Sequence, residues 1–115
     1  MSLDLEQHLK RQMAFSRATF GPGERMHGVV DHIRNELDEV TQSAGDPKEW
    51  TDIVILALDG LTRALLSYGY SVDEAAKNAC LHIVHEQGKN ELRDWPDWRT
   101  ADPGKAIEHV REELA

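Results

Sequence analysis

Residues 36–60, ELDEVTQSAGDPKEWTDIVILALDG, decide how this chain is read. Glu36 and Glu39 stand three apart, a short loop follows, and Glu49 and Asp52 again stand three apart. The second pair leads into IVILAL, the most apolar run in the sequence. Asp46 is a natural N-cap, Pro47 suits the first helical position, and Glu49 lies three residues after the cap. The stretch therefore predicts a helix ending near Ser43, a tight turn at Gly45-Asp46-Pro47, and a second helix running to about Ser67. Two helices joined by so short a loop are antiparallel neighbours.

A helix advances about 100° per residue. Apolar residues at 26, 29, 30, 33, 37 and 40 keep the helical period over 26–43. Relative to Ile33, Glu36 falls at about −60° and Glu39 at about −120°, with His32 between them in angle and Asp38 on the far side near 150°. On the next helix Trp50, Val54, Ala57, Leu58, Leu61, Ala64 and Leu65 form a wide apolar arc, so that helix is expected to be largely buried. Glu49, Asp52, Asp59 and Arg63 share one flank of it. Arg63 can pair with Asp59 one turn away. The projection puts no Lys or Arg on the flank of Glu36, Glu39, Glu49 or Asp52. Buried carboxylates without a partner cost several kcal/mol, so these four call for cations or a metal. Hard oxygen ligands without thiolate suit Mg²⁺ or Mn²⁺. A lone E-x-x-E is common on solvated helices; two acidic i,i+3 pairs on consecutive helices, one of them apolar, are more specific.

Working outward, Leu3, Leu5, Leu9 and Met13 suggest a first helix over 3–14, interrupted by FSRATFGPGERMHG, where Gly21-Pro22-Gly23 makes a turn. Ser71 and Glu74 form a capping-box pattern opening a helix over 72–94, stopped by Trp95-Pro96. Ala106, Ile107, Val110 and Leu114 suggest a last short helix over about 103–114. No segment alternates with period two. The fold class is all-α: a small bundle of four to five helices, one domain over 1–115, with a modest core that oligomerisation would help. On the 72–94 helix the face of Ala75, Ala76, Ala79, Cys80 and Ile83 continues into Gln87 and Asn90. That polar turn suits a pocket wall with Lys89 and Arg93 as phosphate contacts. It equally suits a fraying helix end whose cations favour the dipole.

Composition excludes several classes. The chain has 115 residues and a formal net charge of −8, which argues against a nucleic-acid polymer as partner. No run approaches the roughly 18 apolar residues of a membrane span. One cysteine allows no internal disulfide and fits a reducing compartment. The opening MSLDLEQHLKRQ lacks the apolar segment of a signal peptide. A cytoplasmic protein is expected.

The paired carboxylates, with FSRATFGPGERMHGVVDHIRNELDEV (15–40), DPKEWTDIVILALDG (46–60) and KNELRDWPDWR (89–99), resemble the MazG-like all-α nucleoside triphosphate pyrophosphohydrolases. TFGPG and NELRDWP point to the dATP/dGTP pyrophosphohydrolase branch, common in phages and their hosts, over roughly residues 15–110. If phage-encoded, the compartment is the host cytoplasm. The resemblance implies hydrolysis of a purine deoxynucleoside triphosphate between the α and β phosphates, giving monophosphate and pyrophosphate. It places Glu36, Glu39, Glu49 and Asp52 on the Mg²⁺- or Mn²⁺-binding carboxylates. Glu36 and Glu39 are the catalytic candidates, with Glu39 preferred for positioning or deprotonating the water. It places His32, Asn90 and Arg93 on the substrate. The branch pattern has a Lys one turn before the Asn; here Glu86 stands there and Lys89 is displaced. Phe20 and Trp95 are available to stack on the base. The family's habit implies a homodimer or homotetramer. Two readings from other classes remain: a non-catalytic helical partner-binding module that kept the fold, and a carboxylate-bridged iron protein using His82, His85 and Glu86 or Glu24 and His27.

Overall fold

A computed structural model describes residues 2–111. Its order is α1 (Leu5–Phe20), α2 (Met26–Gln42), α3 (Pro47–Ser67), α4 (Val72–Leu92) and a 3-10 turn at Trp98–Thr100. The described residues contain no strand, so the all-α class holds. Met1–Leu81 forms one compact unit and His82–Ala115 a second, with α4 contributing residues to both.

Local chemistry explains the boundaries. The Asp4 side chain accepts from the Gln7 N–H and caps α1. Asp46 accepts from the Lys48 N–H, with Pro47 opening α3. At α4 the capping box closes both ways: the Glu74 N–H donates to Ser71 Oγ and the Ser71 N–H to Glu74 Oε1, each at 3.1 Å. Helix α2 ends in a Schellman arrangement. The Gly45 N–H reaches Val40 O at 3.0 Å while Ala44 (φ 56°) and Gly45 (φ 81°) take left-handed conformations. This turn doubles the chain back within four residues and sets α3 beside α2.

Three expectations are corrected. Helix α1 does not stop at 14 but runs through FSRAT to Phe20. Ser16 is buried, and its hydroxyl donates to Asp59 Oδ1 at 2.8 Å, so tertiary contact carries the helix on until Gly21 (φ 95°) ends it. The expected helix over 103–114 is absent from its described part, 103–111; 112–115 lie outside the described residues. The Val110 N–H donates instead to Asp94 O at 2.7 Å, and a segment this short is marginal as an isolated helix. Third, α3 is not largely buried. Trp50, Val54 and Ile55 are 52%, 55% and 40% exposed in the single chain.

The core of the first unit lies where α1, the second half of α3 and the start of α4 meet: Leu9, Leu65, Ala75, Ala76 and Ala79, flanked by Leu5, Leu58, Leu61, Leu66 and Cys80. Gln12 Nε2 donates to Ile55 O at 2.7 Å and ties α1 to α3. Ala75, Ala76 and Ala79 of α4 are fully buried in this core. The core holds the far end of α3 and leaves the α2–α3 loop end free of it.

Candidate metal centre

The Schellman turn brings the end of α2 against the start of α3. One carboxylate oxygen each from Glu36, Glu49 and Asp52 lies within 4.8 Å of the others, a group able to hold a metal ion. Glu36 is buried, and Glu49 and Asp52 are half-buried. Glu36 Oε2 and Glu49 Oε2 are buried and accept no hydrogen bond. An oxygen stripped of water and given no donor is costly, and a metal ion would supply the partner these oxygens lack. The donor set therefore fits a hard cation.

Glu39 is exposed and outside this three-oxygen group, but it stands against Glu49. Hydrogen bonding to Glu39, then desolvation, then hydrogen bonding to Glu36 push the Glu49 carboxyl up to about 7, against the pull of Lys48. Carboxyls this close share protons because they cannot all ionise at low cost. His32 Nε2 lies 3.6 Å from Glu36 Oε1, one turn earlier on α2. Asp38 is exposed.

Lys48 is the residue that the helical projection missed. Its Nζ is 3.1 Å from Asp52 Oδ2 and 3.9 Å from Glu49 Oε1, so the expectation of no cation near the cluster is corrected. Asp52 holds the Lys48 pKa above its ordinary value. Projection places only the Cα; a four-carbon stem reaches round the helix to its i+4 neighbour. The lysine side chain is 73% exposed, so it can swing away and leave Asp52 to another cation.

The expected pair of Arg63 and Asp59 is present and larger than expected. Arg63 Nε donates to Asp59 Oδ1 at 3.2 Å, Nη2 to Ser16 Oγ at 2.8 Å, and Nη1 to Gly21 O and Gly23 O at 2.9 Å each. Arg63 and Asp59 are 4% and 5% exposed. This network fastens the Gly21–Gly23 turn to α3. No spacing rule in the sequence signals the carbonyls or Ser16. Phe20, at the end of α1, meets Phe15 edge-on with centroids 6.3 Å apart and lies under the Arg25 guanidinium at 5.4 Å.

The remaining substrate candidates stand in the second unit. Arg93 Nη1 donates to Asn90 Oδ1 at 2.7 Å, and Trp95 Nε1 donates to Asn90 O at 2.7 Å. Lys89 Nζ is 3.3 Å from Glu86 Oε1, whose carboxyl it holds below its ordinary pKa. Trp95 also meets His109 edge-on at 5.8 Å. Asn90, Arg93 and Trp95 are thus brought together, with Lys89 turned to the Glu86 that displaces it in the pattern. Among the described residues, His82, His85 and Glu86 form no group of metal ligands, nor do Glu24 and His27.

No helix among the described residues is long and apolar enough to cross a membrane. No curated protein and no solved structure matches the chain. A family model described as dATP/dGTP pyrophosphohydrolase matches residues 8–113, nearly the whole sequence. The chain therefore belongs to the dATP/dGTP pyrophosphohydrolase family, and its enzyme class is nucleoside triphosphate diphosphatase.

Proposed function

We propose that the protein hydrolyses dATP or dGTP at the α–β bridge, using Mg²⁺ or Mn²⁺ held by Glu36, Glu49 and Asp52. The observation that carries this reading is the trio of carboxylate oxygens within 4.8 Å of one another, together with two buried oxygens that accept no hydrogen bond. The family match over 8–113 supports the substrate class and the treatment of residues 1–115 as one functional domain.

The reaction takes triphosphate and water to monophosphate, pyrophosphate and a proton. A bound divalent ion supplies charge neutralisation and lowers the pKa of water. The chain's own residues do the rest. Glu39, next to Glu49 and open to solvent, orients the water and accepts its proton as general base. Glu49, whose carboxyl the neighbouring Glu39 and Glu36 push up to about 7, shares the cluster's protons in the absence of the ion. His32 Nε2, 3.6 Å from Glu36 Oε1, borders the cluster from the preceding turn. Lys48 balances Asp52 until a stronger cation arrives. Lys89, Asn90 and Arg93 contact phosphate or sugar, and Phe20 or Trp95 stacks on the base. The enzyme acts as a homodimer or homotetramer in the cytoplasm.

Pyrophosphate release is measured over dATP, dGTP, dCTP, dTTP and the ribonucleotides, with Mg²⁺, with Mn²⁺ and after exhaustive chelation. Purine deoxynucleotides should lead in kcat/KM, and chelation should abolish turnover. Full activity after chelation removes the metal assignment. A pyrimidine preference removes the substrate assignment. Turnover of none of them favours the competing reading, a helical partner-binding module.

A further inference from the structure

The α2–α3 hairpin holds a hollow as well as the carboxylates. Val29, Val30, Ile33, Ala57, Gly60 and Ala64 wall an open cavity of about 410 Å³, within the roughly 300–1,000 Å³ of small-molecule sites. A Cβ on Gly60 would stand 3.5 Å from Val29 Cγ1, so the two helices close the floor there. The hollow faces the same side of the hairpin as the metal centre. Val29 stands seven residues before Glu36, and Gly60 eleven residues after Glu49. At 3.6 residues per turn both steps return to nearly the same angle. Floor and carboxylates are therefore about 10–16 Å apart along the helices. A nucleotide spans two to three helical turns from the middle of its triphosphate to the far edge of its base.

Apolar walls suit the faces of a heterocycle, but its edge needs polar partners. Among the charged residues lining the hollow, two are already committed. Glu24 Oε1 accepts from the Met26 N–H at 2.6 Å. Arg63 is spent on Asp59, Ser16 and the carbonyls of Gly21 and Gly23. Arg25 differs. It is half-buried and lines the same hollow, and among the described residues it enters no ion pair. Two features hold its guanidinium in place. The Phe20 ring lies beneath it at 5.4 Å. Gly28 leaves the space it occupies against α2, since a Cβ there would stand 2.5 Å from Arg25 Nη2.

We infer that Arg25 is a specificity-determining residue that reads the base edge of the substrate, and that the base it favours is guanine. A guanidinium only donates hydrogen bonds. Guanine presents two acceptors, O6 and N7, that fit its fork. Adenine keeps N7 but sets the N6 amine, a donor, where O6 would be. An uncommitted arginine can also take phosphate. Here Arg25 stands eleven residues before Glu36, about 16 Å along α2, so phosphates held at the carboxylates leave the base at this end. The inference rests on the hydrolysis proposed above and names the member of its substrate class that the site prefers.

The test measures Kd by calorimetry for the α,β-methylene analogues of dGTP and dATP with Mg²⁺, and kcat/KM for dGTP, dATP, deoxyinosine triphosphate and 7-deaza-dGTP. In both readouts the guanine compound should lead the adenine one by at least about fivefold, the lower end for one bidentate base contact. Deoxyinosine triphosphate keeps O6 and N7 and should follow dGTP. The 7-deaza compound lacks N7 and should fall toward dATP. Arg25→Gln should reverse the order, because an amide pairs with N6 and N7 of adenine. Gly28→Ala should melt at or above wild type, since alanine favours the helix, yet lose the preference by pushing the guanidinium aside. Equal or inverted affinities in wild type, or a preference that survives Arg25→Gln, would overturn the inference. So would a uniform loss across all nucleotides in Arg25→Gln, which marks a phosphate contact. Selective binding without turnover counts against hydrolysis alone, and absence of any nucleotide binding removes both readings.

Discussion

Glu49→Gln should separate the cost of the acidic cluster from its use. Glu36, Glu39, Glu49 and Asp52 bring four negative charges, Lys48 returns one, and the local balance is −3. The Glu49 carboxyl is raised to about 7 from 4.5, so the folded ion-free protein holds a proton that the unfolded chain has already lost between those values. A carboxyl with a raised folded pKa contributes stability that is complete below about 4.5 and gone once pH rises through about 7. Ion-free wild type should therefore lose melting temperature on this group's account between pH 4.5 and 7. Glu49→Gln has no such proton to lose, and its amide can donate to Glu36 or Glu39. At pH 8 without divalent ion it should melt at or above wild type. Added ion reverses the order. A ligand at 100 times its Kd stabilises by about 2.7 kcal/mol, worth roughly 10 °C in a domain of this size. The variant should show less than about 2 °C, and its kcat/KM should fall by at least about 10²-fold, the upper end of losing even an outer partner of a metal. Thermal melts at pH 5 and 8, with EDTA and with Mg²⁺, decide it. If the ion-free variant melts below wild type at pH 8, or keeps the full Mg²⁺ shift, the cluster is not an ion site waiting on Glu49.

Three further substitutions test other positions. Glu39→Gln should lower kcat by at least about 10²-fold with little change in stability, whereas Asp38→Asn, on the solvent side of the same helix, should change kcat by less than about threefold; equal losses would mean that adjacency to Glu49 is irrelevant. Arg63→Met should cost about 3–5 kcal/mol by leaving Asp59 buried and unpaired, read as a melting temperature lower by at least about 10 °C, and a loss under 1 kcal/mol would refute the role given to the Gly21–Gly23 turn.

The α2–α3 hairpin was legible because every local signal agreed. The helical period, the Gly45-Asp46-Pro47 turn and the Asp46 cap all specified one boundary, and that boundary sets Glu36 beside Glu49 and Asp52. The capping box at Ser71 and Glu74 was legible for the same reason. What failed lay in tertiary contact. Continuation of α1 past residue 14 depends on Ser16 meeting Asp59 and Arg63, forty-odd residues away. The absent helix after residue 103 shows the converse: apolar spacing alone does not hold a short segment helical. Lys48 was missed because angular projection treats a side chain as a direction and ignores its reach.

The acidic stripe of α3 is itself divided by this distinction between local and tertiary signals. Glu49, Asp52 and Asp59 share a flank, and spacing alone treats them alike. Asp59 is met from inside the fold by Arg63 and Ser16, at 3.2 and 2.8 Å, and needs nothing further. Asp52 has only an exposed surface lysine, and Glu49 has a buried oxygen with no hydrogen-bond partner. One helix thus carries a carboxylate that the protein satisfies and two that stand in a group able to hold a metal ion. The core explains where the division falls. Residues from Leu58 to Leu66 pack against α1 and α4, where an unmatched charge would weaken the fold. Residues 49–52 lie beyond that core, where excess negative charge can be kept for an ion and, through it, for a triphosphate that a chain of net charge −8 would otherwise repel.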